Sequence, residues 1–135
     1  MIPEAAAAQA RFLSLLSESL AVCQLPEGSP TPDWMPASGF WARLNTPGEQ
    51  TLVCEQGLVP AHVRCEAGWR AIGVQGPLDF SLVGVLAGLA APLAQAGVSI
   101  FALSSFATDY ILVKQADLEK ARQALLQAGH IFLEG

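Results

Sequence analysis

The chain has 135 residues, 52% of them hydrophobic and 14% charged, with a formal net charge of −5. That length allows one compact domain or two small modules sharing a core, and the apolar content excludes a disordered chain. Seven Lys and Arg residues scattered along an acidic chain make no patch for phosphates, so nucleic acid is excluded as a partner.

In chain order, the opening MIPEAAAAQARF lacks a basic region and carries Glu4 where a signal peptide needs apolar residues. Three cysteines, Cys23, Cys54 and Cys65, are odd in number and lack CxxC spacing, which points to neither a disulfide framework nor a zinc site. A reduced, cytoplasmic setting is expected. Residues 5–20 fit a helix by propensity, while 12–16 and 20–25 fit two strands around Ser17-Glu18-Ser19, and both readings stay open. Residues 26–39 (PEGSPTPDWMPASG) are dense in Pro and Gly and form a loop. A strand is expected over 40–44. Thr46-Pro47-Gly48-Glu49 has a capping-box pattern with Pro at the first helical position, predicting a short helical turn. Residues 51–55 (TLVCE) are a further strand candidate.

The second half has clearer punctuation. Residues 69–76 (WRAIGVQG) read as a strand bounded by Gly68 and by Gly76-Pro77. Residues 80 to 108 carry no Asp, Glu, Lys or Arg. Pro92, Gln95 and Gly97 interrupt that stretch and no basic residues anchor it, so a membrane span is not expected. Leu82, Val85, Leu86, Leu89 and Leu93 instead recur at helical spacing, predicting a helix over 82–96 capped by Asp79 or Ser81. Pro92 lies inside this helix, opposite Gly88 four residues back, and Gly97 ends it. A strand over 98–104, a turn at 105–107 and a return strand over 108–114 make a hairpin. Asp117 caps a last helix that Gly129 ends, and residues 130–133 (HIFL) close the chain as a strand. The order β-α-β-β-α-β is the ferredoxin-like arrangement, an α+β class with antiparallel sheets and helices on one face.

WRAIGVQGPLDFSLVGVLAGLAAPLAQAGVSIFALSSFATDYILVK, followed by a helix ending in AGH, resembles the small bacterial proteins built from two ACT-like modules. SSFATDYILV is also similar to the ACT modules of CASTOR-type arginine sensors, and TPGEQTLVCE matches those sensors' Thr, acidic residue and VCE-like strand. The resemblance implies a degenerate N-terminal ACT-like module over 1–65 and an ACT domain over 66–135. It further implies an amino acid or related small metabolite as partner, bound between modules, and association into a homodimer or higher oligomer. Carried over by motif, the ligand residues are Thr51, Leu52 and Val53 on one side and Ser104, Phe106, Thr108 and Asp109 on the other.

The residues themselves give reasons for and against each assignment. An amino acid presents a carboxylate and an ammonium. The N–H groups at the start of the helix near residues 80–84 suit the first, and Asp109 suits the second. Asp79 is a candidate ligand residue, but an Asp three positions before Leu82 reads more simply as an N-cap worth about 1 kcal/mol. Asp109 either ends a strand in water or waits for a cation, since a buried charge is costly unless paired. Phe106, in a turn, covers a ligand or packs on a neighbouring surface. Trp34, Trp41 and Trp69 read as core or interface anchors. His62 and His130 have no ligand-spaced partners, so no metal and no cofactor are expected. No nucleophile–base pair, GxSxG elbow or Walker loop supports an enzyme. The expectation is a regulatory sensor of an amino acid, with a ligand-free interaction module as its rival.

Overall fold

The structure, a computed structural model, describes residues 9–133. The reading of the N-terminus as leaderless falls largely on residues 1–8 and lies outside the described residues, as does the front of the helix considered from residue 5. Seven strands and two α-helices follow in order: β1 Phe12–Leu25, β2 Ala42–Thr46, β3 Glu49–Glu55, β4 Arg64–Val74, α1 Val85–Gln95, β5 Ile100–Ser104, β6 Asp109–Lys114, α2 Leu118–Gln127 and β7 Ile131–Phe132. Two compact units divide the chain. One is Ser17–Trp69, and the other joins the described residues up to Leu16 to those from Arg70 onward. The expected division at residues 65 and 66 was a single cut, whereas β1 and β4 each contribute residues to both units.

In the Ser17–Trp69 unit the strand order is β2-β3-β1-β4. β3 runs antiparallel to β1, with Cys54 opposite Ala21 and Leu52 opposite Cys23. Those four residues are buried together, and Trp34 and Met35 from the Pro-rich loop pack on them with Leu25, Val59 and Val63. The expected helical turn at residues 46–49 is instead the turn of the β2–β3 hairpin, in which Thr46 pairs with Glu49. Pro47 fixes one φ and Gly48 supplies φ +99°, the combination of a type II turn. Gly48 N–H donates to Glu27 and Gly28 N–H to Asn45, tying this turn to the loop after β1. A capping-box pattern and a Pro-Gly turn share the same four letters, and here strand pairing on both sides decides between them.

The other unit has the order β7-β1-β4-β6-β5. Its core is Leu13, Ile72, Val74, Ile111 and Val113 from strands, Val98 after α1, and Val85, Leu89, Leu93, Ala121 and Leu125 from the two helices. The β-α-β-β-α-β order is present as β4-α1-β5-β6-α2-β7. However, β1 stands between β4 and β7, and β7 pairs with β1 in parallel, Phe12 opposite Ile131. β1 is one strand of 14 residues, which corrects both the helix and the two-strand readings. Ser17-Glu18-Ser19 does not interrupt it, because ladder partners outweigh the weak strand propensity of a short polar run.

Both helices end as their glycines predict. Gly97 at φ +77° and Gly129 at φ +99° follow the last helical residues. Val98 N–H reaches Leu93 O at 2.9 Å and His130 N–H reaches Leu125 O at 3.1 Å, the long bond of a Schellman motif. Their starts differ from expectation. α1 begins at Val85 behind Gly84, whose φ of +85° only glycine adopts cheaply, rather than at Leu82 behind Asp79 or Ser81. Asp117 does precede α2, but a 3-10 turn over Gln115–Asp117 leads in and its side chain makes no capping bond.

Pro92 stays inside α1 without ending it. Lacking an N–H, it leaves the carbonyl of Gly88 without its usual acceptor role. The buried His130 supplies the replacement, with Nε2 at 3.0 Å from Gly88 O. Its Nδ1 accepts the Arg11 N–H at 3.1 Å, which fixes the ring proton on Nε2. His130, set aside as a metal ligand on sequence, is thus a buried cross-tie between α1, α2's exit and the residue before β1.

Candidate ligand cleft

β4 delivers the chain to the site. After Val74 the chain turns through Gly76 and Pro77, and Leu78 N–H donates to Ala107 O at 2.7 Å. A Cβ at Gly76 would stand 3.1 Å from both Ala107 O and Thr108 Cβ, so glycine is what lets this turn lie against the β5–β6 turn. Thr108 adds a second stitch, its Oγ1 donating to Val74 O at 2.6 Å. Ser105 closes its own turn, its N–H donating to Thr108 O at 2.8 Å while its Oγ accepts the Thr108 N–H.

Between this turn and the N-terminal end of α1 lies an open cleft of about 410 Å³, within the range of about 300–1,000 Å³ usual for small-molecule sites. Its lining includes Asp79, Phe80, Leu82, Gly84 to Ala87, and Ser104 to Asp109. Five residues expected from sequence therefore come together: Asp79, Ser104, Phe106, Thr108 and Asp109. Thr51, Leu52 and Val53 do not line it. They sit on β3 of the Ser17–Trp69 unit, with Leu52 and Val53 buried and Leu52 part of that unit's apolar cluster.

The five differ in what they have left to offer. Asp79 Oδ1 accepts both the N–H and the hydroxyl of Ser81 at 2.8 Å, an Asx-type turn that shapes the approach to α1. The Ser81 backbone bond, then its hydroxyl, hold the Asp79 carboxyl below the usual carboxylate range. Thr108 is engaged with Val74. Ser104, directly opposite Asp109 across the hairpin, donates its hydroxyl to Asp109 Oδ1 at 2.7 Å. Asp109 is half-buried as the first residue of β6, and among the described residues no hydrogen bond reaches its Oδ2. Partly exposed at the start of its strand, it has one neutral hydroxyl as its hydrogen-bond partner among the described residues.

The remaining surface is apolar. Phe80 and Phe106, 75% and 85% exposed, meet edge to face with ring centroids 4.8 Å apart. Leu82 and Leu86 continue this lining. The first N–H groups of α1, at Val85, Leu86 and Ala87, have no intrahelical acceptor, as at the start of any helix. Sequence reasoning placed these donors one turn too early and missed Phe80, Leu82 and Leu86 as lining. The signal was available in Gly84, a glycine directly before the buried Val85. Among the described residues no cluster of His, Cys, Asp or Glu suits a metal ion.

The family model of the ACT domain matches residues 64–127. A crystal structure of an Agobacterium tumefaciens protein is 33% identical, covering 93% of this chain and 94% of its own, with a TM-score of 0.87. Over residues 64–127 the chain is similar to the ACT-domain family. Its fold is the α+β, ferredoxin-like ACT fold. Two more distant structures share that fold. A Vibrio cholerae protein described as a possible transport protein is 24% identical over 91% of this chain and 93% of its own, with a TM-score of 0.72. The ligand-free regulatory subunit of aspartate kinase from Thermus thermophilus is 13% identical over 83% and 93%, with a TM-score of 0.57. No curated protein matches this chain. Among the described residues, no helix is long and apolar enough to cross a membrane.

Proposed function

We propose that this protein is a small-molecule sensor without catalytic activity of its own, and that it binds a free amino acid in the cleft between the N-terminal end of α1 and the β5–β6 turn. The observation that carries this reading is Asp109: a half-buried carboxylate, held by Ser104 through one oxygen, in a cleft that also presents exposed apolar side chains and helix N–H groups. A carboxylate in such surroundings favours a cation that pairs with it. An ammonium at Asp109 and a carboxylate at the Val85–Ala87 N–H groups would satisfy both ends of one zwitterion. Asp79, already engaged by Ser81, shapes the mouth instead of contacting the ligand. Thr51, Leu52 and Val53 are left out of this proposal, since two of them are buried within their own unit.

The test is a thermal-shift screen against the twenty amino acids. A ligand at about 100 times its dissociation constant adds roughly 2.7 kcal/mol of stability, and at least one amino acid should raise the melting temperature accordingly. No shift with any of them contradicts the proposal.

A second reading, an interaction module that self-associates, has its own observation. Val83, Phe106 and Phe80 are 92%, 85% and 75% exposed, and exposed apolar surface marks interaction sites when it forms a patch. Sedimentation that finds a dimer unaffected by amino acids would favour it over the sensor reading.

A further inference from the structure

We infer that the cleft selects amino acids with a large apolar side chain, seated against the paired rings of Phe80 and Phe106, and rejects acidic ones. This deepens the proposed function and rests on it. Two observations point to this chemistry. First, the two rings are among the most exposed large apolar side chains among the described residues, and they line the same cleft as Asp109. They touch each other edge to face, leaving most of both rings open to whatever enters. An apolar side chain laid against them removes hydrocarbon from water on both partners, with Leu82 and Leu86 extending the surface.

Second, the charges lining the cleft are of one sign. Asp79 and Asp109 line it, and no Lys, Arg or His does. An aspartate or glutamate ligand would bring a side-chain carboxylate into a site with two carboxylates and no cation to receive it. A lysine or arginine ligand would present a second cation whose only other acidic partner lining the cleft is the exposed Asp79, and an ion pair held in water contributes little. An apolar amino acid presents one ammonium, one carboxylate and a side chain, which is one demand for each feature of the cleft.

The experiment is calorimetric titration of the wild type, Phe106→Ala and Asp109→Asn with alanine, leucine, phenylalanine, lysine and glutamate. Phe106 is exposed, so its removal leaves the fold intact, and Phe80→Ala serves as a second variant. Leucine or phenylalanine should bind the wild type about tenfold or more tighter than alanine, the scale of one aromatic contact. Phe106→Ala should erase that preference, and Asp109→Asn should weaken every ligand. Tightest binding of lysine or glutamate, or a preference that survives both Phe106→Ala and Phe80→Ala, overturns the selectivity while leaving an amino-acid sensor standing. Binding of none of the five overturns the selectivity, and the proposed function falls with it only where none of the twenty amino acids shifts the melting temperature either.

Discussion

Three cysteines lie on adjacent strands of the Ser17–Trp69 unit, and their environments separate them chemically. Cys23 on β1 and Cys54 on β3 are buried, while Cys65 on β4 is exposed. Burial, with Cys54 and Cys65 close by, pushes the Cys23 thiol up to about 12, and burial raises Cys54 as well. Because the thiolate is the reactive form, Cys23 and Cys54 behave as small core residues. Alkylation of the folded protein near pH 8 should therefore modify Cys65 alone, with the other two reacting only after denaturation, as read by mass spectrometry. Equal labelling of Cys23 in the folded state would contradict the packing. The stability effect has a definite sign. A thiol whose folded value exceeds its ordinary value of 9.0 contributes fully below pH 9.0 and loses that contribution as pH rises towards about 12.

At the scale of elements, the second half was legible because glycine and proline mark its boundaries. Gly97 and Gly129 adopt the left-handed conformation that ends a helix, and the strand–turn–strand over residues 98–114 falls into place as β5 and β6. What misled was apolar residues whose periodicity continues past the true helix start. Leu82 and Val83 are exposed and precede the helix, and Leu82 lines the cleft, so their apolar character does not belong to the helix face. In the first half, β1 gives no local sign that its polar centre stays extended, because that depends on partners distant in sequence. The candidate site was read in part: Asp109, Phe106 and Ser104 are in one cleft, while the apolar lining around Phe80 carried no motif.

The α1 element also depends on a bond that no sequence pattern announces. His130→Phe would keep the shape of the ring but leave Gly88 O and Arg11 N–H without their partner. At roughly 1–3 kcal/mol for each of the two unsatisfied groups, the loss should reach about 2–6 kcal/mol in urea denaturation. Pro92→Ala restores an N–H that can reach Gly88 O, so it should recover part of the loss in the His130→Phe background. The double-mutant cycle should show coupling on the order of 1 kcal/mol. Strict additivity would mean that His130 does not substitute for the bond Pro92 removes.

At the scale of the whole molecule, the ACT fold supplies a scaffold, and a scaffold alone does not choose a function. The choice rests on one side chain in one cleft. Asp109→Asn is the sharpest probe of it, because the amide keeps an oxygen for the Ser104 hydroxyl and removes only the charge. The measurement is calorimetric titration of wild type and Asp109→Asn with the amino acid that stabilises the wild type most. The account predicts that the variant loses binding while remaining as stable as the wild type without ligand, or slightly more so, since it no longer holds a half-buried charge without a cationic partner. Equal affinity in the two proteins would contradict it.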